Sequence, residues 1–557
     1  MSMELTVPPC PKNILLVYPA TPQTYWSYRH ALGFIGKKAL MPPLGLLTVA
    51  AIMGESYEYR LIDLNVEELG DDELHWADLV MVSAMIVQRE SMEAVVHRCN
   101  AAGVPVVAGG PYPTACHEDI SGVAHFVLGE GECTIPAFRR DLEAGRLEPV
   151  YQPDGRPEMS SVPVPRFDLC DPAVYHTIPL QFSRGCPFNC EFCDIVSLFG
   201  RRVRTKSPEH FVEEIEAVWN TGFRGTIFIV DDNFVGNHRR VKELLRAIVA
   251  WQHDRGRPFN FCTEASIDLA ADQELLDLMV AAGFSMVFVG LETPVEASLE
   301  AAGKRQNLRG DMVRAVRRIQ KRGIEVTAGF VLGFDSDPPD IAERQVRFIE
   351  ELAVPTAMVG LLIALPNTRL WNRLAREGRM PWRTNGNNTH EVELNFEPVL
   401  PKGELLAAYS EVLGRIYEPR QYFARCLRLL RRRPRLGRRE AFGSHDGISR
   451  EQVRALGRSL LRQGLSRYGH WYWWFLLRGL SLRPRFIVQV MTMAIQGHHY
   501  FEITRRVVGR TTPSERRRRQ VTARAVRPPA DQRAAYGFPR SNAPARAAGA
   551  NSIVTSG

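Results

Sequence analysis

Three cysteines in the middle of the chain are the residues best placed to do chemistry. Cys186, Cys190 and Cys193 follow one another at C-x3-C-x2-C spacing, so one loop can bring all three thiols to a single metal centre. A structural zinc site takes four protein ligands, whereas an iron–sulfur cube held by three cysteines leaves one iron open to a small molecule. The next thiol along the chain is Cys262. The spacing therefore favours a cluster with an open iron, and the alternatives are zinc with a distant fourth ligand or incidental cysteines.

The loop Arg184–Asp194 carries aromatic Phe192 directly before its last cysteine. In this arrangement it resembles the cluster loop of radical S-adenosylmethionine (SAM) enzymes. The resemblance implies a [4Fe-4S] cluster on the three cysteines, whose open iron binds the amino and carboxylate groups of SAM. It also implies that one electron from the reduced cluster cleaves the sulfonium and releases a 5'-deoxyadenosyl radical. A low-potential donor such as flavodoxin or ferredoxin would supply that electron.

The bulk properties are those of a globular protein in a reducing compartment. The 557 residues allow two or three domains, and 45% apolar with 24% charged residues is ordinary for folded proteins. The 10 cysteines are unevenly spaced and include the triplet, so we expect no disulfide framework. The N-terminus lacks a basic-then-apolar signal pattern, and no apolar run reaches ~18 residues. We therefore expect a cytoplasmic protein without a membrane-spanning helix.

The first part of the chain, residues 10–150, alternates short apolar runs with helical patterns. The predicted strands are Asn13–Tyr18, Tyr59–Asp63, Leu79–Ser83, Val104–Ala108 and His125–Leu128. Helical patterns at Glu90–Ala102 and Glu132–Leu142 complete an order that predicts an open parallel α/β sheet of the Rossmann-like, flavodoxin-like class. Ligands of such sheets bind beyond the carboxyl ends of the strands. Those ends carry Pro42-Pro43, Asp63, Ser83, Gly109-Gly110-Pro111 and Gly129-Glu130-Gly131-Glu132.

This domain resembles the cobalamin-binding domain that precedes many radical SAM cores. The resemblance lies in Ser83-Ala84-Met85 followed by Gly109-Gly110, and it implies that Ser83, Gly109 and Gly110 contact cobalamin. The loop after Asp63 has no histidine, although some cobalamin proteins place a lower axial ligand there. Either the cobalt is bound without a protein imidazole, or the domain has lost cobalamin and serves as a lid or dimer face. We expect cobalamin to be bound.

Strand and helix patterns alternate again over residues 178–380, after a linker at residues 151–177. Its Pro- and Ser-rich stretch Pro153–Pro165 is expected to lie across the surface. The predicted strands are Ile178–Ser183, Thr226–Val230, Phe259–Thr263, Met286–Val289, Val326–Val331 and Ala357–Ile363. The predicted helices are Pro208–Asn220, Arg239–Gln252, Asp272–Ala282, Arg309–Lys321 and Pro339–Leu352. About six β/α units fit the partial (β/α)6 TIM-type barrel of a radical SAM core.

Acidic residues and glycines follow the predicted barrel strands, where barrel enzymes carry their chemistry. The candidate SAM contacts are Asp231, Asp232, Glu264, Gly290, Glu292, Gly329 and Gly333. The resemblance implies that the aspartates hold the SAM amino group, that Glu264 accepts from the ribose or the amino group, and that glycine lets the backbone lie flat against adenine. The alternatives are a solvated turn or helix cap for the aspartates, an arginine ion pair for Glu292, and ordinary glycine turns.

The last part of the chain is predicted to contain an accessory domain over residues 381–510, starting with Glu391–Val399 and a helix at Lys402–Ile416. From about Asn13 to Cys426 the chain is similar to a subgroup of cobalamin-type radical SAM proteins that includes the hopanoid C-2 methylase. Residues 511–557 are predicted to be a disordered basic tail.

The end of the accessory region is both basic and aromatic. The runs Arg431–Arg435, Trp471–Leu477 and Phe486–Ile495 are too short to cross a bilayer. Tryptophans beside arginines suit a peripheral membrane segment, and they equally suit the core of a small helical subdomain. Arginine clusters also suit nucleic acid, but no RNA-binding module pattern is present, so nucleic acid is not expected as a partner.

Taken with the resemblance, these features predict a cobalamin-dependent radical SAM C-methyltransferase acting on an unactivated carbon of a hydrophobic small molecule or lipid, such as a hopanoid. A similar layout occurs in the anaerobic cyclase of magnesium-protoporphyrin monomethyl ester, so a cyclase or oxidase that moves no methyl is the first alternative. A methylthiotransferase would need a second cysteine triplet, and the first half has only scattered Cys99, Cys116 and Cys133. The last alternative is a non-catalytic cobalamin- or redox-sensing protein.

Overall fold

A computed structural model describes residues 7, 11–381, 386, 394–434, 450–482 and 487–510. The described residues up to Val508 belong to one compact unit of the chain. The strands are β1 Asn13–Tyr18, β2 Glu58–Asp63, β3 Leu79–Ser83, β4 Val106–Gly109, β5 His125–Val127, β6 Val150–Tyr151, β7 Thr177–Leu180, β8 Ser183–Arg184, β9 Arg204–Thr205, β10 Thr226–Ile229, β11 Asn260–Glu264, β12 Phe284–Glu292, β13 Glu325–Leu332 and β14 Ala357–Leu361.

The helices up to the end of the second sheet are α1 Arg29–Ile35, α2 Leu44–Met53, α3 Asp71–Trp76, α4 Arg89–Ala101, α5 Pro111–Cys116, α6 Gly131–Glu143, α7 Ile195–Phe199, α8 Pro208–Asn220, α9 His238–Asp254, α10 Gln273–Ala282, α11 Glu296–Ala301, α12 Met312–Lys321 and α13 Ile341–Leu352. The later helices are α14 Arg369–Arg376, α15 Lys402–Ile416, α16 Pro419–Arg432, α17 Arg450–Gly464, α18 Gly469–Leu482 and α19 Ile487–Arg510.

The first six strands form a parallel sheet in the order β2-β1-β3-β4-β5-β6. Successive residues of β1 enter two different cores, Leu15 on one face of the sheet and Ile14 and Leu16 on the other, because strand side chains alternate. The strand order reverses between β1 and β3, which is the point where open α/β sheets bind ligands. The prediction of a flavodoxin-like domain is confirmed; β6 was missed because two residues carry no periodicity.

The remaining long strands form a second parallel sheet in the order β14-β13-β12-β11-β10-β7. The strands follow chain order with helices between them, so the predicted partial (β/α)6 barrel is confirmed. Helix α8 has its predicted bounds because Ser207 caps it, accepting a hydrogen bond from His210 N, and Pro208 occupies its first turn. The predicted strand Ile178–Ser183 divides in two, since β8 leaves the sheet and pairs antiparallel with β9.

The segment between the two sheets is partly buried, so the prediction of a surface linker is wrong here. Met159, Val162 and Phe167 are buried. The Tyr175 hydroxyl donates to Asp63 Oδ2 at 3.1 Å and so joins the segment to the end of β2. Proline and serine set the extended backbone of this stretch, but its apolar side chains are removed from water by the elements on either side.

The C-terminal helices pack on the barrel and on one another. Helix α15 has the predicted bounds, and the rings of Phe423 on α16 and Phe475 on α18 stack at 4.8 Å. Tyr472 and Phe475 are buried, as expected for a helical subdomain, whereas Trp473 and Leu477 are exposed. Among the described helices, none combines the length and the apolar character needed to cross a membrane. Predictions for residues 391–393, 435, 486 and 511–557 lie outside the described residues.

Candidate active site

The three cysteines lie on the loop that connects β8 to α7. Main-chain bonds hold this loop in place: Glu191 N donates to Ala302 O at 2.8 Å, and Leu370 N donates to Glu191 O at 2.9 Å. Cys190 is buried, and burial raises the pKa of the Cys193 thiol to about 12. The thiol therefore stays protonated until a metal replaces the proton.

Two amide side chains contact the cysteine sulfurs. Asn233 Nδ2 lies 3.9 Å from Cys186 Sγ, and Gln306 Nε2 lies 3.8 Å from Cys190 Sγ. Amide donors of this kind stabilise thiolate charge and tune a cluster. Among the described residues, no group of three or more His, Cys, Asp or Glu side chains converges closely enough to hold a single metal ion. The interpretation of the three cysteines as cluster ligands therefore rests on their spacing and on the two amide contacts.

Two carboxyl groups, Asp232 and Glu264, lie at the mouth of the barrel. Burial is the main cause that raises the pKa of each to about 7, and repulsion from Asp232 adds to the rise at Glu264. Asp232 Oδ2 accepts from Gly185 N at 3.1 Å, and no described cationic side chain bonds to either carboxyl group. A ligand that brings positive charge, as the amino and sulfonium groups of SAM do, would favour their ionised forms. The pair therefore fits SAM.

The neighbouring Asp231 has a different environment. Its carboxylate is buried and accepts from Phe182 N at 2.7 Å and from Ser183 Oγ at 2.6 Å. These bonds join the end of β10 to the segment that connects β7 with β8. We therefore assign Asp231 a structural role in place of the predicted SAM contact.

Glu292 forms an ion pair with a lysine, where the sequence alternative was an arginine. Lys304 Nζ donates to Glu292 Oε1 at 2.6 Å, and Glu292 raises the pKa of Lys304 against the lowering effect of burial. A Cβ atom on Gly290 would lie 2.5 Å from Glu292 Oε1 and 2.8 Å from Lys304 Nζ. Gly290 thus makes room for a charged pair beside the cysteine loop, and Cys190 and Cys193 would raise the pKa of Lys304 further once they are thiolates.

The two candidate glycines of the fifth barrel strand pack against protein. A Cβ atom on Gly329 would lie 2.9 Å from the Phe288 ring, so that ring covers the position predicted to face adenine. Gly333 has φ 110°, donates its N–H to Asp337 Oδ2 at 2.8 Å, and faces Leu405 of α15. The structure therefore gives both glycines packing roles.

A cavity of about 470 Å³ lies between the carboxyl ends of the first sheet and the mouth of the barrel. Ser83, Gly109 and Gly110 line it from one side and Asp232 from the other. A Cβ atom on Gly110, which has φ 89°, would lie 2.5 Å from Ser83 Oγ, and one on Gly109 would lie 2.9 Å from Val127 O. Because glycine has no side chain, these strand ends approach one another closely and the cavity wall there is formed by main-chain atoms. Such a wall fits a bulky cofactor such as cobalamin.

The acidic loop of the first domain is joined to the barrel by a buried ionic network. Arg184 Nη1 lies 2.8 Å from both Glu130 Oε2 and Glu132 Oε2, and Arg204 Nη2 lies 2.7 Å from Glu130 Oε1. Burial alone would raise the pKa of Glu132, but the bonds from Arg184 lower it. Because Arg184 is two residues before Cys186, the network ties the cysteine loop to a wall of the cavity.

The chain matches three sequence families along its length. They are the B12 binding domain at residues 37–139, the radical SAM superfamily at 180–348, and a domain of unknown function (DUF4070) at 368–512. It is 40% identical over 501 residues to the uncharacterized methyltransferase sll1242 of Synechocystis sp., covering 89% of this chain and 93% of that protein. It is 35% identical over 413 residues to the hopanoid C-2 methylase of Rhodopseudomonas palustris, covering 73% and 77%.

The fold is similar to that of the radical SAM methyltransferase TsrM from Kitasatospora setae, solved with cobalamin and a [4Fe-4S] cluster bound. The TM-score is 0.55 at 17% identity, covering 85% of this chain and 99% of that one. Together with the identities to the two methyltransferases, this confirms the expected class of enzyme and its cofactors. The chain belongs to the cobalamin-dependent radical SAM methyltransferases, which use a [4Fe-4S] cluster, SAM and cobalamin.

Proposed function

We propose that this protein methylates an unactivated carbon of a hydrophobic, hopanoid-like lipid. The cavity carries the proposal, because Ser83 and Gly110 from the cobalamin-type sheet and Asp232 from the barrel mouth line the same space. The cluster and SAM supply the radical that removes a hydrogen atom, and cobalamin supplies the methyl group. The identity to a hopanoid C-2 methylase supports a substrate of that class.

The residues of this chain would position and shield the reacting groups. The proposed roles are cluster ligation by Cys186, Cys190 and Cys193, donation to their sulfurs by Asn233 and Gln306, acceptance from SAM by Asp232 and Glu264, and the cobalamin cradle of Ser83, Gly109 and Gly110. The Arg184 network would keep the cysteine loop and the cavity wall at a constant distance. Such positioning in a space closed to water is the main contribution that a protein makes to cofactor chemistry.

We also propose that an acidic electron-donor protein docks beside the cysteine loop. Arg201 donates to Pro187 O at 3.2 Å, and Arg369 donates to Asn189 O at 3.1 Å, which places both guanidinium groups on the outer side of the loop. Arg376 is exposed on the same helix as Arg369. Within the described part of the chain, none of the three arginines forms an ion pair. Uncompensated positive charge there would steer an acidic partner to the cluster.

The cytoplasm is the compartment that suits this assignment. No disulfide bond is assigned to the nine cysteines of the described residues, and a low-potential cluster needs reducing surroundings.

The test is product analysis with the full-length protein, purified without oxygen and reconstituted with cluster and cobalamin. With methyl-labelled SAM and a hopanoid lipid in detergent, we expect labelled lipid, S-adenosylhomocysteine and 5'-deoxyadenosine. Formation of 5'-deoxyadenosine without S-adenosylhomocysteine would contradict methyl transfer and favour the cyclase or oxidase alternative. A cluster spectrum that does not respond to SAM would favour a sensing protein.

The cysteine assignment has its own control pair. Cys190→Ala is expected to abolish SAM cleavage while bound cobalamin remains, because none of the three cysteines lines the cavity. Cys99→Ala, which removes a buried thiol on α4, is expected to retain cleavage. Cleavage by the Cys190→Ala protein would show that the cluster is held elsewhere.

A further inference from the structure

Helices α17 and α18 expose an unusual share of large apolar side chains. Among the described residues, nine large apolar side chains are exposed. Six of them lie on these helices or on the turn between them: Val453, Leu461, Leu465, Trp473, Leu477 and Leu482. Single exposed apolar residues are ordinary on a protein surface, whereas a group of them marks a contact with another molecule or with a membrane.

Four of these side chains lie near the turn that joins the two helices and are called here the apolar patch: Leu461, Leu465, Trp473 and Leu477. Trp473 Nε1 donates to the carbonyl of Gly464 at 3.3 Å, and the Trp473 ring lies 2.9 Å from where a Gly464 Cβ would be. This contact places Trp473 of α18 against Gly464 at the end of α17, next in the chain to Leu465. Leu477 follows Trp473 by one helical turn. The patch is well exposed, with 85% of Leu465 and 71% of Leu477 accessible.

The same helices carry positive charge around the apolar patch. Residues 450–482 contain Arg450, Arg454, Arg458, Arg462, Arg467 and Arg478 and a single acidic residue, Glu451. Arg454, Arg467 and Arg478 are exposed, and no carboxylate of the described residues pairs with them. The helices and the turn that carry the patch thus also carry exposed cations that form no ion pair with a described residue.

The opposite faces of both helices are already used for packing. Arg458 Nη1 donates to Phe34 O at 3.1 Å and so fixes α17 to α1, while Phe475 stacks on Phe423 and fixes α18 to α16. The exposed leucines are therefore the outward side of a supported helix pair.

We propose that this face binds an anionic membrane surface, from which the lipid substrate is taken up. Aliphatic side chains that enter the acyl boundary, a tryptophan at headgroup depth and arginines on lipid phosphates are what an interfacial helix requires. Leu465 and Leu477 would have no role in binding a nucleic acid, which favours the membrane. The proposal deepens the proposed function by locating where the substrate is met, and its test does not depend on catalysis.

The experiment is sedimentation of the full-length protein with lipid vesicles. We expect the protein to sediment with vesicles made of equal parts phosphatidylcholine and phosphatidylglycerol and to bind pure phosphatidylcholine more weakly. The double variant Leu465→Gln/Leu477→Gln is expected to bind the anionic vesicles about a hundredfold more weakly, since each leucine removed from the acyl boundary costs about tenfold. Arg454→Gln/Arg478→Gln should lose about fivefold per arginine, with a smaller loss at high salt.

The matched control is Val399→Gln, which replaces another exposed apolar residue outside these helices and is expected to bind like the wild type. Circular dichroism and SAM cleavage should be unchanged in all variants, because the replaced side chains face away from the core. Equal binding by the leucine variant, or retention of single-stranded RNA with no vesicle binding, would overturn the proposal. If the protein bound vesicles but methylated no lipid, the result would support the membrane-binding surface and contradict only the proposed function.

Discussion

Two pairs of acidic residues lie at or just beyond the carboxyl ends of strands, one pair in each sheet, and their surroundings differ. Glu130 and Glu132 of the first domain receive the guanidinium groups of Arg184 and Arg204, and all four side chains are almost fully buried. Glu264 and its neighbour at the barrel mouth, Asp232, receive no such bond from the described cations and have pKa values raised to about 7.

The contrast separates a structural joint from a binding site. A buried carboxylate that bonds to a cationic side chain of the protein already has its charge compensated, so it is not available to bind a ligand. A buried pair of carboxyl groups without a bonded cation lowers the stability of the folded protein. A positively charged ligand can restore that stability when it binds. On this reasoning Glu130 and Glu132 hold the domains together, and we propose that Asp232 and Glu264 accept hydrogen bonds from SAM.

The largest expected effect comes from breaking the joint. Arg204→Ala leaves Glu130 buried with less compensation and is expected to lower the free energy of unfolding by ~3–5 kcal/mol, measured by urea unfolding of the protein without cofactors. The double variant Arg204→Met/Glu130→Gln should recover part of that loss, because it removes both charges. Arg344→Ala breaks an exposed pair with Asp340 and should change stability by less than ~0.5 kcal/mol. An Arg204→Ala protein as stable as this control would show that the network is not a joint.

The next largest effect is expected at Glu264, which has no bonded cation. Its replacement should raise the stability of the protein and weaken SAM binding. Glu264→Gln should stabilise the protein without cofactors by ~1–3 kcal/mol, because it removes a charge that burial disfavours. It should also weaken SAM binding to the reconstituted protein about tenfold. Thermal melting and equilibrium dialysis measure the two quantities.

Glu292→Gln is the contrasting variant for this pair of measurements. It leaves the Lys304 charge buried without its carboxylate and should therefore destabilise the protein without cofactors. If Glu264→Gln also destabilised it, the comparison between satisfied and unsatisfied acids would fail.

A smaller effect is expected from pH. Because the pKa values of Asp232 and Glu264 are raised to about 7, both groups take up protons as the pH falls through 7 and attract a cationic ligand less. SAM affinity should therefore decrease between about pH 8 and pH 6, and the decrease should be shallower in Glu264→Gln. Without ligand the sign reverses: their contribution to stability is greatest at low pH and is lost as the pH rises through 7. A SAM affinity independent of pH would exclude these carboxyl groups as acceptors.

The smallest expected effect concerns the arginines outside the cysteine loop. Arg201→Glu/Arg369→Glu should slow cluster reduction by an acidic flavodoxin several-fold and should reduce the salt dependence of that rate. Reduction by dithionite, which needs no docking, should be unchanged. Arg239→Glu on α9 is the control, since it reverses an exposed charge elsewhere. Equal slowing with both reductants would indicate damage to the cluster and contradict a docking role.

Much of the fold could be predicted because its signals are local. The apolar runs of β1 and β3, the capped start of α8 and the periodicity of α15 each appear within a few neighbouring residues, and all four elements have their predicted bounds. Strands of two residues, such as β6 and β8, have no such pattern. The buried segment around Met159 was misjudged because composition does not tell what packs on either side of a stretch.

The candidate site was predictable only in part. The cysteine spacing is a local signal, whereas Gln306, which contacts Cys190, lies 116 residues further along the chain in no recognisable motif. Lys304 was missed for the same reason, because its partners Glu292 and the cysteine loop meet it only after folding.

The amino-acid sequence by itself determined the two parallel sheets, the cysteine loop and the bare glycine ends of the first sheet, because spacing and periodicity are properties of the chain. The tertiary structure alone decided the role of each acidic residue. Asp231 and Asp232 are adjacent, yet one bonds to Phe182 and Ser183 inside the protein and the other lines the cavity. Burial and the nearest charge fix what a carboxylate does, and both arise only when distant parts of the chain come together.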